Sequence, residues 1–266
     1  MKIFVINLKS SVRRRKIMEK QLSMLDFPYE IFDAVKGSDV SEEEIKHYYD
    51  MDYYNNRPGY FTAGAVGCTL SHYFIYKKIV EEKIDVAIIL EDDMILKKNF
   101  TNAIKKIADE IKDKEAILLF YQSYHKIKLA NVSSIPLTEK FKLYQVVSIG
   151  SLRSTGGYII NNKTAQSMAE GLVPFSTFPD DWKSFYDRGF LNGVRVVFPF
   201  ILDNSYEQTT ISPLLKEGLL KKTISFTEKN KIFPFYNILK WRRKLNFIKT
   251  RECFITNGTV IDHRGN

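Results

Sequence analysis

Cysteine is nearly absent from this chain of 266 residues: Cys68 and Cys253 stand far apart, with no metal-ligand spacing around either. That excludes a disulfide framework and a cysteine-type zinc site, and it fits a reducing compartment. Long apolar runs are also missing. No stretch approaches the roughly 18–20 residues that a membrane-spanning helix needs. The start of the chain lacks the pattern of a secretory signal, because Asn7 interrupts the apolar Ile3–Leu8 and Lys9 and Arg13-Arg14-Arg15 follow. A cytoplasmic protein is expected, or one held peripherally on the inner face of the cytoplasmic membrane. Repeats and low-complexity tracts are absent too, which argues against solenoid and linker-type chains.

What is present is enough apolar material for a sizeable core, with 44% hydrophobic and 14% aromatic residues. The formal charge of +9 is unevenly placed. Ten Lys/Arg against Glu228 and Glu252 concentrate between Leu219 and Phe254, so the body is close to neutral and the tail is basic. A composition shift near Ser212 divides the chain into an expected catalytic domain, 1–212, and a basic, aromatic-rich segment, 213–266.

Strand and helix signals alternate through the first part. Ile3–Ile6, Tyr29–Phe32, Asp85–Leu90, Ala116–Tyr121, Tyr144–Ile149, Gly156–Ile160 and Val194–Phe198 read as strands. Helical spacing runs over Arg13–Leu25, Thr69–Lys83, Asn99–Asp113 and Asn162–Gly171. Ser41 and Glu44 form a capping box ahead of a short helix. Tyr48–Phe61, rich in Tyr, Asn, Pro and Gly, reads as a loop. The alternation predicts an α/β fold, a Rossmann-type single domain with a mostly parallel central sheet, followed by a basic helical C-terminal segment.

The most informative residues are Glu91-Asp92-Asp93. They follow the apolar run ending at Leu90, so they sit at the carboxyl end of a buried strand, where open α/β sheets build ligand crevices. Crowded carboxylates raise one another's pKa unless a cation compensates. Mn²⁺ or Mg²⁺ would do so through oxygen ligands while leaving positions for phosphate. A solvated acidic turn would carry the same residues.

Together with Val5-Ile6-Asn7-Leu8, Arg14-Arg15, Gly67-Cys68-Thr69-Leu70-Ser71-His72, Thr155-Gly156-Gly157-Tyr158-Ile159-Ile160 and Pro179-Asp180-Asp181, this tract resembles glycosyltransferase family 25, the bacterial lipooligosaccharide and lipopolysaccharide galactosyltransferases. The likeness extends from Lys2 to about Ser212. Ala65, Ser10 and Ser154 depart from it, standing where the family often has an acid, an Arg and a Gly.

The resemblance implies a GT-A-like domain and a metal-dependent, inverting transfer of galactose from UDP-galactose to a lipid-linked oligosaccharide, forming a β-linkage, β-1,4 foremost. UDP-glucose or a UDP-N-acetylhexosamine on the same scaffold is the alternative donor. It implies Asp93 as the direct metal ligand with Glu91 beside it, and Glu91 or Asp92 on ribose or metal-bound water. The donor would meet Asn7, Leu8, Arg14, His72, Thr155, Gly156 and Gly157, with Arg15 and Ser71 as companions. Gly64 and Gly67 allow backbone approach to a ligand or simply begin a helix. An inverting transfer needs a base for the acceptor hydroxyl. Asp181 holds the Pro-x-Asp position, with Asp180 next and Glu207 and Gln208 behind; either aspartate could instead cap a helix over Trp182–Gly189.

The tail interleaves Phe233, Phe235, Tyr236, Trp241 and Phe247 with Lys240, Arg242, Arg243, Lys244 and Lys249. Such a segment suits an anionic membrane surface, or packing on the domain. A nucleic-acid binder is disfavoured by the near-neutral body and the acidic tract. A non-catalytic scaffold built on the same family remains the other class.

Overall fold

The computed structural model describes residues 1–57, 59–121, 127–205, 234–235, 237–241 and 253–254. In chain order its elements are β1 (Lys2–Asn7), α1 (Val12–Leu22), β2 (Tyr29–Asp33), α2 (Glu42–Tyr48), α3 (Met51–Asn55), α4 (Ala63–Glu81), β3 (Val86–Glu91), β4 (Met94–Leu96), α5 (Phe100–Glu110), β5 (Glu115–Leu118), β6 (Ile127–Pro136), β7 (Lys142–Val146), β8 (Gly157–Asn161), α6 (Asn162–Gly171), α7 (Trp182–Asp187), β9 (Gly193–Phe198), β10 (Leu202–Asn204) and β11 (Cys253–Phe254).

Nine strands make one sheet in the order β11-β6-β7-β9-β5-β8-β3-β1-β2, while β4 and β10 form a small antiparallel pair. The expectation of a mostly parallel sheet holds in part: the sheet is mixed, with seven of its nine strands running one way and mostly parallel at its core. Four adjacent pairs are parallel and four antiparallel, because β8 is inserted against the direction of β3 and β5, and β7 against β9 and β6. All other strands run one way. A strand buried on both faces is apolar whichever way it points, so composition did not reveal the reversal of β8.

Alternation along the strands serves two cores. Phe4, Ala87, Ile89 and Ile160 face one helical layer with Leu70, Ile79, Ala165 and Met168. Ile3, Val5, Ile88, Leu90 and Ile159 face the other, against Met18, Leu22, Ile104 and Ile107. Every one of these side chains is almost wholly removed from water. Helices therefore cover both faces, and the open ends of the strands are left for ligands.

Local signals explain most boundaries. Ser41 Oγ accepts from Glu44 N and the Glu44 carboxylate accepts from Ser41 N, the expected capping box. Two expectations fail. The stretch read as a loop contains α3, capped by Asp50, whose carboxylate accepts from Tyr53 N at 3.0 Å. The helix expected from Thr69 begins at Ala63, capped by Thr62. Gly67 lies inside it because a Cβ there would stand 2.3 Å from the Val35 carbonyl oxygen. The glycine admits the backbone of the β2 exit loop onto the helix.

The expected basic helical tail falls mostly outside the described residues. Within them, residues 235 and 237–241 are helical, and β11 pairs in parallel with β6. No helix among the described residues is long and apolar enough to cross a membrane.

Candidate functional site

At the carboxyl ends of β1 and β3 lies a cleft of about 280 Å³. Its walls are Ile6 near the end of β1, Leu8 just after it, Arg14 on α1, Val35 to Ser38 after β2, the first turns of α4 from Ala63 to His72, and Glu91-Asp92-Asp93. Three expected tracts, remote in sequence, thus meet at one place because β2, β1 and β3 are neighbours pointing the same way.

The acids are not equivalent. Glu91 ends β3, while Asp92 and Asp93 form the turn into β4 and do not prolong the strand. Asp92 is neutralised: Arg14 Nη1 donates to its Oδ1 at 2.8 Å and Asn7 Nδ2 to its Oδ2 at 2.7 Å. Among the described residues, Glu91 receives only a neutral hydrogen bond, from Thr155 Oγ1 at 2.8 Å. Burial, then the charge of Asp93, pushes its carboxyl up to about 7. Asp93 is also pushed up, chiefly by burial, against the pull of Arg14. Its Oδ2 accepts from Asn204 Nδ2 at 3.2 Å, whereas its Oδ1 is buried without a hydrogen-bond partner among the described residues.

That orphaned oxygen beside a second under-compensated carboxylate is a donor set that fits a hard divalent cation. Among the described residues no three His, Cys, Asp or Glu side chains are arranged to enclose a metal alone. Glu91 and Asp93 would therefore share the ion with oxygens of a ligand.

His72, on α4, is buried, and burial holds its ring well below the usual range, at about 3. Its Nδ1 pairs with Tyr158 Oη at 2.7 Å, and its Nε2 has no partner among the described residues. Ser71 is a clamp: its Oγ accepts from Val35 N and donates to the Gly67 carbonyl. Arg15 lies on the outer face of α1, paired with Glu19 and Asp33.

The next crossover supplies Thr155, but not an open pocket at the two glycines. A Cβ at Gly156 would meet Phe120 at 2.8 Å and one at Gly157 would meet Leu202 at 2.2 Å, so both serve packing. Asp181 is the N-cap of α7: its carboxylate accepts from Ser184 N and from Thr177 Oγ1, and Arg153 lies 3.4 Å away. Asp180 lies close enough to the acidic tract to act on it electrostatically. Its charge raises the pKa of both Glu91 and Cys68, and burial raises its own. Ser154, with φ +105°, presents its backbone N–H to Asp180 and its carbonyl to Trp182 Nε1. Glu207 and Gln208 lie outside the described residues.

Sequence reasoning missed Cys68, Asn204, Tyr158 and Tyr76. Cys68 has no disulfide or metal-ligand spacing to single it out, although its place one turn before His72 puts it on the same helix face. Asn204 sits on a three-residue strand with no periodic signal.

An α/β sheet with an acidic, ligand-sized cleft at its strand ends defines a binding or transfer enzyme scaffold. The chain belongs to glycosyltransferase family 25: the family model described as "Glycosyltransferase family 25 (LPS biosynthesis protein)" matches residues 1–182. Among relatives, Procollagen galactosyltransferase 1-A of Xenopus laevis is 42% identical over 98 residues, 35% of this chain and 16% of that protein. A Glycosyltransferase 25 family member of Drosophila melanogaster is 27% identical over 189 residues, 66% of this chain and 30% of that one. The Lipooligosaccharide biosynthesis protein lic2B of Haemophilus influenzae is 24% identical over 169 residues, 62% of this chain and 61% of its own length. This chain thus spans less than two thirds of each of these three. A crystal structure of a glycosyltransferase involved in glycosylation of the major capsid of PBCV-1 covers 77% of this chain and 82% of its own, at 13% identity and a TM-score of 0.35.

Proposed function

We propose that this protein is a GT-A-like, metal-dependent transferase that moves galactose from UDP-galactose to a lipid-linked oligosaccharide acceptor with inversion, residues 1–212 forming the catalytic unit. The observation that carries the reading is the buried, unpartnered Asp93 Oδ1 beside Glu91 at the end of β3. In a family 25 chain, such a pair suits Mn²⁺ or Mg²⁺ shared with a diphosphate. When bound there, the cation offsets charge developing on the leaving diphosphate.

The protein's own groups have distinct tasks in this reading. Arg14 and Asn7 hold Asp92 toward the ribose or the metal-bound water. Thr155 orients Glu91. Ala63 and Gly64, at the amino end of the 19-residue α4, present the positive end of a helix dipole to the cleft, which favours phosphate. As base for the acceptor hydroxyl, Asp180 is favoured over Asp181. The charge of Asp180 acts on Glu91, and its raised pKa, chiefly from burial, suits proton uptake, whereas the Asp181 carboxylate is committed to the α7 cap.

Hydrolysis and binding of UDP-galactose, UDP-glucose and UDP-N-acetylhexosamines, with Mn²⁺ and with chelator, test this directly. A Mn²⁺-dependent preference for UDP-galactose is expected. Binding of none of them would overturn the reading, and binding without turnover on any acceptor would favour a scaffold.

Membrane association through 213–266 draws on a separate observation: Phe235, Ile238 and Trp241 are exposed at helical spacing within the basic tail. Co-sedimentation with anionic vesicles at low salt should be lost on truncation after Ser212. Retention by the truncated chain would remove the anchor.

A further inference from the structure

Beneath the cleft, Tyr76, Tyr158 and His72 form a buried chain. Tyr76 Oη lies 2.8 Å from Tyr158 Oη, which lies 2.7 Å from His72 Nδ1. None of the three is more than 1% exposed. Among the described residues Tyr76 Oη has no other partner, and His72 Nε2 has none.

The neutral chain owns three mobile protons and makes two hydrogen bonds, so its protons can be placed in three ways. If His72 Nδ1–H donates to Tyr158 and Tyr158 to Tyr76, the Tyr76 hydroxyl proton is buried with no acceptor. If His72 Nδ1–H and Tyr76 both donate to Tyr158, the Tyr158 proton is stranded instead. Only when Tyr76 donates to Tyr158 and Tyr158 to Nδ1 are both hydroxyl protons used. The third proton then lies on Nε2, the ring nitrogen left for whatever fills the cleft that His72 lines. Each arrangement leaves one proton without an acceptor among the described residues. A phenol O–H, however, is a stronger donor than a neutral imidazole N–H, and an imidazole nitrogen a stronger acceptor than a phenol oxygen. Only the last arrangement also puts the leftover proton on the residue that lines the cleft, and together these select it.

We infer that the Tyr76–Tyr158 pair locks His72 as the Nε2–H tautomer, so that His72 serves the cleft as a hydrogen-bond donor to an oxygen of the nucleotide-sugar and not as a metal ligand. A protonated Nε2 has no lone pair to offer a cation. Burial keeps the ring neutral, so the donor is a single species across the working pH range. This deepens the nucleotide-sugar reading of the cleft and rests on it for the identity of the acceptor atom.

Nitrogen-15 histidine NMR of the full chain, with His72 assigned by its loss in His72→Gln, reads the tautomer without any turnover. The expected result is a ring protonated at Nε2, unchanged by Mg²⁺, with its signal shifted by UDP-galactose. An Nδ1-protonated ring, or loss of the Nε2 proton when Mg²⁺ is added, overturns the inference. Tyr158→Phe should yield a tautomer mixture; an unchanged ring in that variant overturns the lock.

Calorimetry separates the two levels. If no UDP-sugar binds, the nucleotide-sugar reading and the donor role fail together while the tautomer lock stands. If UDP-galactose binds with the His72 signal unmoved, the donor role fails and the nucleotide-sugar reading stands. His72→Gln, which keeps an N–H near the Nε2 position, should bind UDP-galactose more tightly than His72→Leu by about tenfold. Equal affinity of His72→Leu and wild type overturns the donor role.

Discussion

Arg14 Nη1 sits 2.8 Å from Asp92 Oδ1, with the two side chains only 13% and 11% exposed. The middle acid of the tract is therefore spoken for, and the electrostatic tension falls on its neighbours Glu91 and Asp93. This division separates a residue that holds the site together from residues left to bind.

Removing Arg14 should leave a buried, unpaired carboxylate. Arg14→Met is expected to cost about 3 kcal/mol in urea unfolding, with most of it recovered in the Arg14→Met/Asp92→Asn double variant. A single-variant loss near zero would mean that the pair is not held in solution.

Asp93→Asn relieves repulsion and removes the orphaned oxygen's charge. Without metal the variant should melt higher than wild type, and it should lose the Mn²⁺-induced rise in Tm. Turnover should fall by about 100-fold or more. A variant that keeps both the Mn²⁺ shift and the rate would place the ion elsewhere.

Asp180→Asn should lower kcat by about 10²–10⁴ with UDP affinity kept, as expected for loss of a general base. Asp181→Asn should remain active and stable, since Asn also caps helices, whereas Asp181→Ala should lose about 1 kcal/mol of stability. The opposite ranking in kcat would return the base to Asp181.

His72 titrates at about 3 in the folded chain because burial disfavours its charged form. Unfolded, it takes up a proton near pH 6.5, so the folded state binds fewer protons between these values. The stabilisation is present above about pH 6.5 and is lost as pH falls toward 3. It amounts to about 2 kcal/mol lost between pH 6.5 and 4.5. His72→Gln should flatten that part of the stability–pH curve; an unchanged slope would show that the imidazole is not buried in solution.

Gly67→Ala should cost about 1–3 kcal/mol, since the added methyl meets the Val35 carbonyl oxygen at 2.3 Å. Nucleotide affinity should weaken with it, because the β2 exit loop forms one wall of the cleft. Chemical denaturation and a nucleotide titration read the two effects separately.

The chain's own pattern was sufficient for β1, β3 and α6, and for the acids at the end of β3. Short β-branched runs bounded by charge, and an Asn at a helix start, are local signals with local causes. The family likeness likewise rested on ordered tracts that need no folding to be recognised. Legibility stopped where neighbours decide. Strands β4 and β10 have three residues each, too few for periodicity, and exist because they pair with one another. α3 has no strongly helix-forming stretch, yet it forms where Asp50 caps it and Tyr54 stacks on Phe61.

Site roles divide in the same way. That Glu91, Asp92 and Asp93 crowd together was plain from adjacency. Which one is neutralised was decided by Arg14 and Asn7, brought in from β1 and α1 by parallel strand pairing. The Pro-x-Asp spacing put Asp181 ahead of Asp180, but the fold makes the Asp181 carboxylate a helix cap and brings the charge of Asp180 within reach of Glu91. The direction of β8 was equally hidden, and it is what carries Tyr158 beneath His72. Composition and spacing record what each segment prefers alone. Charge balance, tautomer and which backbones may touch depend on atoms that only folding brings within hydrogen-bond distance.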